Sequence, residues 1–321
     1  MSKSFFLIII FSTTLLANLT DAREKLKQSS LANVNALIIL TTQDMLTSGR
    51  YRFDDGSELH IVNFPIYYHF NPIFSNINLF INGSAGYSKL DSEVDLGNSY
   101  NPKDDTSYET IALRLGGGAR YSNPFGLNFL LGFDFIYSRI HNNYKYNSLK
   151  SKDDFKELFD DTFANQYSNA YTYEFFWQAS YTPIFVGWKP YVILSLNYFD
   201  SKQDLSFHEL SSFRSTSGGS RLKLGFETPQ FIHFFNTGLS SEFYMAANAF
   251  TGGVRETLGF DGYGSSAAIL HLYLDNGFYG DLDEALYHVP SILNRVDLMV
   301  ERVVGDGIEG YNIGFGAGFS F

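Results

Sequence analysis

Tyr311-Asn312-Ile313-Gly314-Phe315-Gly316-Ala317-Gly318-Phe319-Ser320-Phe321 is the stretch that decides the fold. Its odd positions are apolar or aromatic, and its even positions are Asn, Gly or Ser. A period of two sustained this long is a β-strand with one apolar face and one small polar face. In a soluble sandwich the apolar face would pack on a second sheet. Here it carries Phe315, Phe319 and Phe321 and continues to the terminal residue.

The same alternation recurs upstream. Ile111, Leu113, Leu115 and Tyr121 alternate with Arg114, Gly116, Gly118 and Arg120. Phe129, Leu131, Phe133, Phe135 and Tyr137 alternate with Gly132 and Asp134, although Leu130 and Ile136 interrupt the polar face. Tyr171, Tyr173, Phe175 and Tyr181 oppose Thr172, Glu174, Gln178 and Ser180, and Leu222, Leu224 and Phe226 oppose Arg221, Lys223 and Glu227. Segments of about ten residues with a lipid-compatible face, a charged face and aromatic ends mark an all-β, transmembrane antiparallel up-and-down β-barrel. Strands are expected near 32–42, 58–70, 77–88, 108–122, 127–142, 169–181, 188–200, 218–228, 236–247, 264–275, 291–303 and 310–321. Between them, short Pro- or Gly-bearing turns (Asn71-Pro72, 123–126, Thr182-Pro183) alternate with long polar loops at 89–107, 143–168, 201–217 and 248–263. Such barrels pair short periplasmic turns with long outer loops and an even strand count. Twelve strands fit, with ten and fourteen as the alternatives.

Composition agrees with this reading. The chain is 17% aromatic and only 18% charged, and it has no cysteine, which excludes disulfides and thiolate chemistry. A net charge of −11 excludes a nucleic-acid binder, which needs a basic stripe. Residues 1–22 read as a secretory signal peptide: Lys3, an apolar run from Phe5 to Leu16, then Thr20-Asp21-Ala22 as a cleavage site. Residues 23–31 form a short polar segment, a helix inside the lumen or a free tail, and residues 32–321 form the barrel.

The terminal aromatic residue, with Tyr311, Ile313, Phe315 and Phe319 before it, resembles the C-terminal sorting signal of bacterial outer-membrane β-barrel proteins. The resemblance implies a place in the outer membrane of a Gram-negative bacterium. It also implies recognition by the barrel-assembly machinery and contact with outer-membrane lipid and lipopolysaccharide. In size and strand number the chain resembles the translocator domain of autotransporters in a passenger-less form, since only Arg23 to Leu31 precede the first expected strand.

Parity sends Arg114, Arg120, Asp134, Glu174, Arg221, Lys223, Glu227, Glu242, Arg295, Asp297 and Glu301 into the lumen. A pore selective for one sign of ion would carry a one-sided ring. Mixed signs point instead to salt-bridge networks across a narrow interior. The expected function is a structural or translocator-like barrel with exposed loops. A narrow, porin-like diffusion channel is the alternative, and an outer-membrane hydrolase a third reading. None of His60, His69, His141, His208, His233, His271 and His288 has a Ser two positions on, as barrel lipid hydrolases resemble one another in having. The Asp104-Asp105, Asp153-Asp154 and Asp160-Asp161 pairs and His208-Glu209 read as solvated loop residues. No catalytic residue, cofactor or metal is assigned, since the acidic loops lack calcium-loop spacing. Residues 151–164 place Phe155, Leu158, Phe159 and Phe163 at helical spacing, and 281–288 reads as a second short helix.

Overall fold

A computed structural model describes residues 46–54, 56–70, 76–95, 102–162, 166–183, 188–204, 212–234, 237–259, 261–274 and 295–318, together with Asp21, Glu24, Lys25, Ser30, Asn33 and Val34. The strands are β1 (Leu46–Phe53), β2 (Glu58–His69), β3 (Ile77–Val94), β4 (Asp104–Ser122), β5 (Leu127–Lys145), β6 (Gln166–Tyr181) and β7 (Lys189–Asp204). They continue with β8 (Phe213–Glu227), β9 (Ile232–Phe234), β10 (Thr237–Gly252), β11 (Gly262–Tyr273), β12 (Arg295–Gly305) and β13 (Ile308–Gly318). Each pairs antiparallel with its neighbours, and β1 pairs with both β2 and β13, which closes the sheet on itself. The short β9 pairs with the start of β10 and prolongs the line of β8, so twelve staves make the barrel. Among the described residues each stave is paired on both sides, so closure removes the free sheet edges.

Parity decides which side each residue takes. Leu113, Leu224 and Leu298 are each 53% exposed on the outer wall, whereas Asp134 and Glu174, inside, are 0% exposed. The outer face of β5 measures the apolar belt. Phe129 stacks on Tyr121 at one end, and Tyr137 meets Tyr171 at the other, with ring centroids 6.4 and 5.6 Å apart. From Phe129 to Tyr137 is about 26 Å along the strand at ~3.3 Å per residue. With a tilt near 40° that is roughly 20 Å of height, close to the belt of an outer-membrane barrel. Beyond Tyr137 the outward positions turn polar, at Arg139 and His141.

Strands β3, β4 and β5 run 18, 19 and 19 residues. A crossing needs about ten, so they stand well beyond the apolar belt at the rim that carries α1 (Leu149–Thr162) and α2 (Gly253–Leu258). We call this the far rim; β13 ends at the near rim. The loops expected at 89–107 and 248–263 are largely strand and helix, because the alternation persists there with polar residues outward. Residues 151–164 fall mostly within α1, although the side chains of Phe155, Leu158, Phe159 and Phe163 lie outside the described residues, as do Phe319, Phe321, the segment 281–288 and almost all of 1–22.

The first strand departs from expectation. Asn33 and Val34 are helical and buried, and β1 begins only at Leu46. β1 reverses the usual polarity: Tyr51 and Phe53 point inward, while Arg50 and Arg52 point outward to Glu58. A rule that places apolar residues outward passes over such a strand. The reversal follows from height, since this end of β1 lies beside the polar outward row of the far rim.

Glycines on the inner wall make room for rings. A Cβ on Gly132 would lie 2.2 Å from the Phe176 ring, and one on Gly310 would lie 2.5 Å from the Arg50 carbonyl and 2.7 Å from Tyr51. Small positions read simply as the polar face are thus seats for inward aromatic side chains.

Candidate functional site

The lumen has two zones. Toward the far rim it is packed with mixed side chains: Tyr51, Leu59, Leu90, Tyr108, Ile140 and Val303 are buried, joined by Val34 from the N-terminal helical residues and Val254 of α2, and so are Ser88, Thr106, Thr110, Asn142, Ser168 and Gln203. The sequence reading noted Leu130 and Ile136 as interruptions of the polar face and assigned only charged residues to the lumen. It missed this zone because inward aliphatic residues on the long strand ends look like interruptions of the pattern.

The rest of the inner wall, from the middle to the near rim, carries the eleven charged residues assigned by parity. On β4–β7, Arg114 pairs with Asp134 through Nε at 2.6 Å and with Glu174 at 3.1 Å. Asn82 donates to Asp134 at 3.3 Å and Asn197 to Glu174 at 2.5 Å. Asp134 and Glu174 are directly opposed across β5 and β6, so two like charges share one guanidinium.

A second network spans β7 to β13. His271 sits between Asp297, 2.6 Å from Nδ1, and Glu242, 3.2 Å from Nε2. Lys223 reaches Glu242 at 3.3 Å and lies 3.8 Å from the centre of the Tyr244 ring, while the Tyr191 hydroxyl also donates to Glu242. Arg295 pairs with Asp297 at 2.9 Å. Tyr244 donates to Glu301 at 3.0 Å, Asn312 donates to Glu301 at 2.8 Å, and Tyr51 donates to Asn312 at 2.6 Å, which ties β10, β12, β13 and β1 together. Arg221 approaches Glu301 at 3.9 Å. Near the rim, Glu227 accepts from Tyr273, Ser240 and Lys189. Arg120 stands apart, 3.4 Å from Asn128 Oδ1.

Sequence reasoning did not single out Tyr191, Tyr244, His271, Asn82, Asn197 or Asn312. Extending parity to β11 would have found His271, because Ile269 and His271 face inward while Ala268 and Leu270 face out. Among the described residues, no group of three or more His, Asp or Glu is arranged to hold a metal ion.

At the far rim, Asp104 is buried rather than solvated. Its carboxylate accepts from Tyr144 at 2.7 Å, from the Asn147 backbone N–H at 2.8 Å and from Ser151 Oγ at 2.9 Å. It anchors the start of α1 to β4 and β5. The described N-terminal residues also reach the inner wall: Gln203 Nε2 donates to Ser30 Oγ at 2.8 Å, and Asn33 Nδ2 donates to Thr110 Oγ1 at 3.1 Å.

The barrel is similar to three solved autotransporter structures. The translocator domain of NalP from Neisseria meningitidis superposes with a TM-score of 0.56 at 13% identity, covering 96% of this chain and 99% of that one. The β domain of the Bordetella autotransporter BrkA gives 0.56 at 12% identity, covering 86% and 96%. The transport unit of AIDA-I from Escherichia coli gives 0.52 at 11%, covering 92% and 97%. At these identities the likeness speaks to fold. No curated protein matches the chain. The profile of a family described as the solitary outer membrane autotransporter β-barrel domain matches residues 32–203, more than half the length. With its closed twelve-stave ring and internally neutralised lumen, the chain belongs to that family of solitary outer-membrane autotransporter β-barrel domains.

Proposed function

We propose that this translocator-like barrel resides in the outer membrane of a Gram-negative bacterium, stoppered by its own N-terminal helical segment, with α1 and the far-rim loops facing outward. One observation carries the reading. Ser30, Asn33 and Val34, at helical spacing, are all buried, and the two polar ones bond to Gln203 and Thr110 on the inner wall. The buried side chains packed around them at the far rim, and the ion-pair networks below, support a lumen closed at that end. Tyr311, Ile313 and Phe315, exposed on the outer face of the closing strand, support a sorting signal read by the assembly machinery. The apolar belt supports contact with lipid, and the charged outward positions above it support contact with lipopolysaccharide.

Planar-bilayer conductance tests this. The full chain should give small, infrequent openings. Removing residues 23–34, or replacing both anchors as Thr110→Val with Gln203→Leu, should produce a steady and larger conductance. A steady conductance from the unmodified chain, equal to that of the deletion, would favour the diffusion channel instead.

A further inference from the structure

We infer that the lumen cavity beside Arg120 binds a small amphipathic anion, a carboxylate carried on a medium-chain or aromatic body. The inference does not depend on whether the N-terminal segment stoppers the lumen. It begins with an inconsistency in how the lumen handles charge. Arg114 is matched by Asp134 and Glu174, Lys223 by Glu242, Arg221 by Glu301, Arg295 by Asp297 and Lys189 by Glu227. Arg120 also points inward, yet among the described residues its hydrogen-bond partner is the neutral Asn128 amide. A guanidinium held inside a barrel wall is costly unless an opposite charge meets it. Four lumen cations, and Lys189 at the rim, meet carboxylates of the chain; among the described residues Arg120 meets none.

The register shows what surrounds Arg120. Arg120 pairs with Leu130, Leu130 with Gln178, Gln178 with Ser195, and Ser195 with Arg221. This inner row crosses β4 to β8 and contains no carboxylate. The next row begins Gly118, Gly132 and Phe176, and its glycines give room to the Phe80 and Phe176 rings. Together the two rows border a cavity of about 470 Å³ whose lining includes Arg120, Leu130, Phe176, Ile193 and Phe80. That size falls in the range of small-molecule pockets, which combine apolar walls with a few fixed polar groups.

The lining sets the ligand class. A guanidinium offers two parallel donors to a carboxylate, while Leu130, Phe176 and Ile193 take an apolar body. Arg120, and the excess of Arg and Lys over Glu on the same lining, disfavour a cation. Glu174, also on it, disfavours a polyanion. A monoanion with an apolar body satisfies both limits.

Calorimetric titration of the full chain, folded in phosphatidylcholine nanodiscs, tests the site with octanoate and benzoate as probes. Octanol and benzyl alcohol serve as uncharged counterparts, and empty discs give the bilayer background. We expect saturable one-to-one uptake of both carboxylates and at least tenfold weaker binding of the alcohols. Arg120→Gln should lose at least tenfold. Leu130→Glu, which sets a carboxylate directly across from Arg120, should lose as much; it carries the test alone if Arg120→Gln does not fold, as judged by the heat-dependent gel shift of the barrel. Carboxylate uptake no greater than in empty discs would overturn the inference, as would alcohols that bind as tightly as the carboxylates. So would binding by the folded variants equal to that of the unmodified chain.

Discussion

Arg114 holds together two carboxylates that face each other across β5 and β6 with no exposure of either side chain. Replacing it leaves both charges buried without a counter-ion, a loss of about 3–5 kcal/mol by analogy with broken buried pairs. Arg114→Ala should therefore lower the urea midpoint of the refolded barrel markedly. Adding Asp134→Asn and Glu174→Gln should recover much of the loss, since neutral amides need no cation. The outer wall gives the complementary case. Leu224 is exposed where lipid would cover it, and an Arg at a lipid-facing midplane site costs about 2–4 kcal/mol. Leu224→Arg should fold poorly into bilayers of ordinary thickness, measured as the folded fraction on a gel. These facing assignments were legible because the period of two is clear on β4, β8 and β13. What alternation does not carry is partnership. Parity sent Arg114 and Arg120 to the same side, and only the folded barrel distinguishes the arginine with two carboxylates from the one that, among the described residues, meets none.

The joints between strands hold the barrel closed. β1 is the shortest of the twelve staves, and it meets β13 through Tyr51, which fits against Gly310 and donates to Asn312. A methyl at residue 310 would meet backbone on β1, so the strands must part to admit it. Gly310→Ala should cost about 1–3 kcal/mol, the usual range for overpacking, and chemical unfolding would register it. At the far rim, Asp104→Ala removes the acceptor for Tyr144, Asn147 and Ser151 at once. We expect faster protease cleavage within 149–162 while the barrel's gel shift is unchanged. Eleven of the twelve staves could be located from alternation and turn residues. β1 could not, because its charged residues face outward at the far rim and the apolar run at Ala36–Leu40 is the stronger signal. The long strand ends were misread as loops for a related reason: above the apolar belt the outward positions turn polar while the inward ones mix polar and apolar side chains, so the period of two fades and sequence alone does not separate such a strand from a loop.

At the scale of the molecule, closure, a belt of exposed apolar residues and a lumen that neutralises nearly all its own charge amount to one design. The outer wall presents exposed apolar side chains, and most of the charged groups inside pair with one another. The most direct test labels both faces of one stave. Because the chain has no cysteine, single cysteines at 221, 222, 223, 224, 225 and 226 of β8 can each carry a nitroxide in the bilayer-folded protein. The account predicts strict alternation: at 222, 224 and 226 the label is relaxed by oxygen dissolved in the bilayer and shielded from a water-soluble nickel chelate. At 221, 223 and 225 oxygen relaxation should be low. Equal oxygen access along the whole stretch, or maxima at 221, 223 and 225, would contradict the barrel's assignment of lipid and lumen faces.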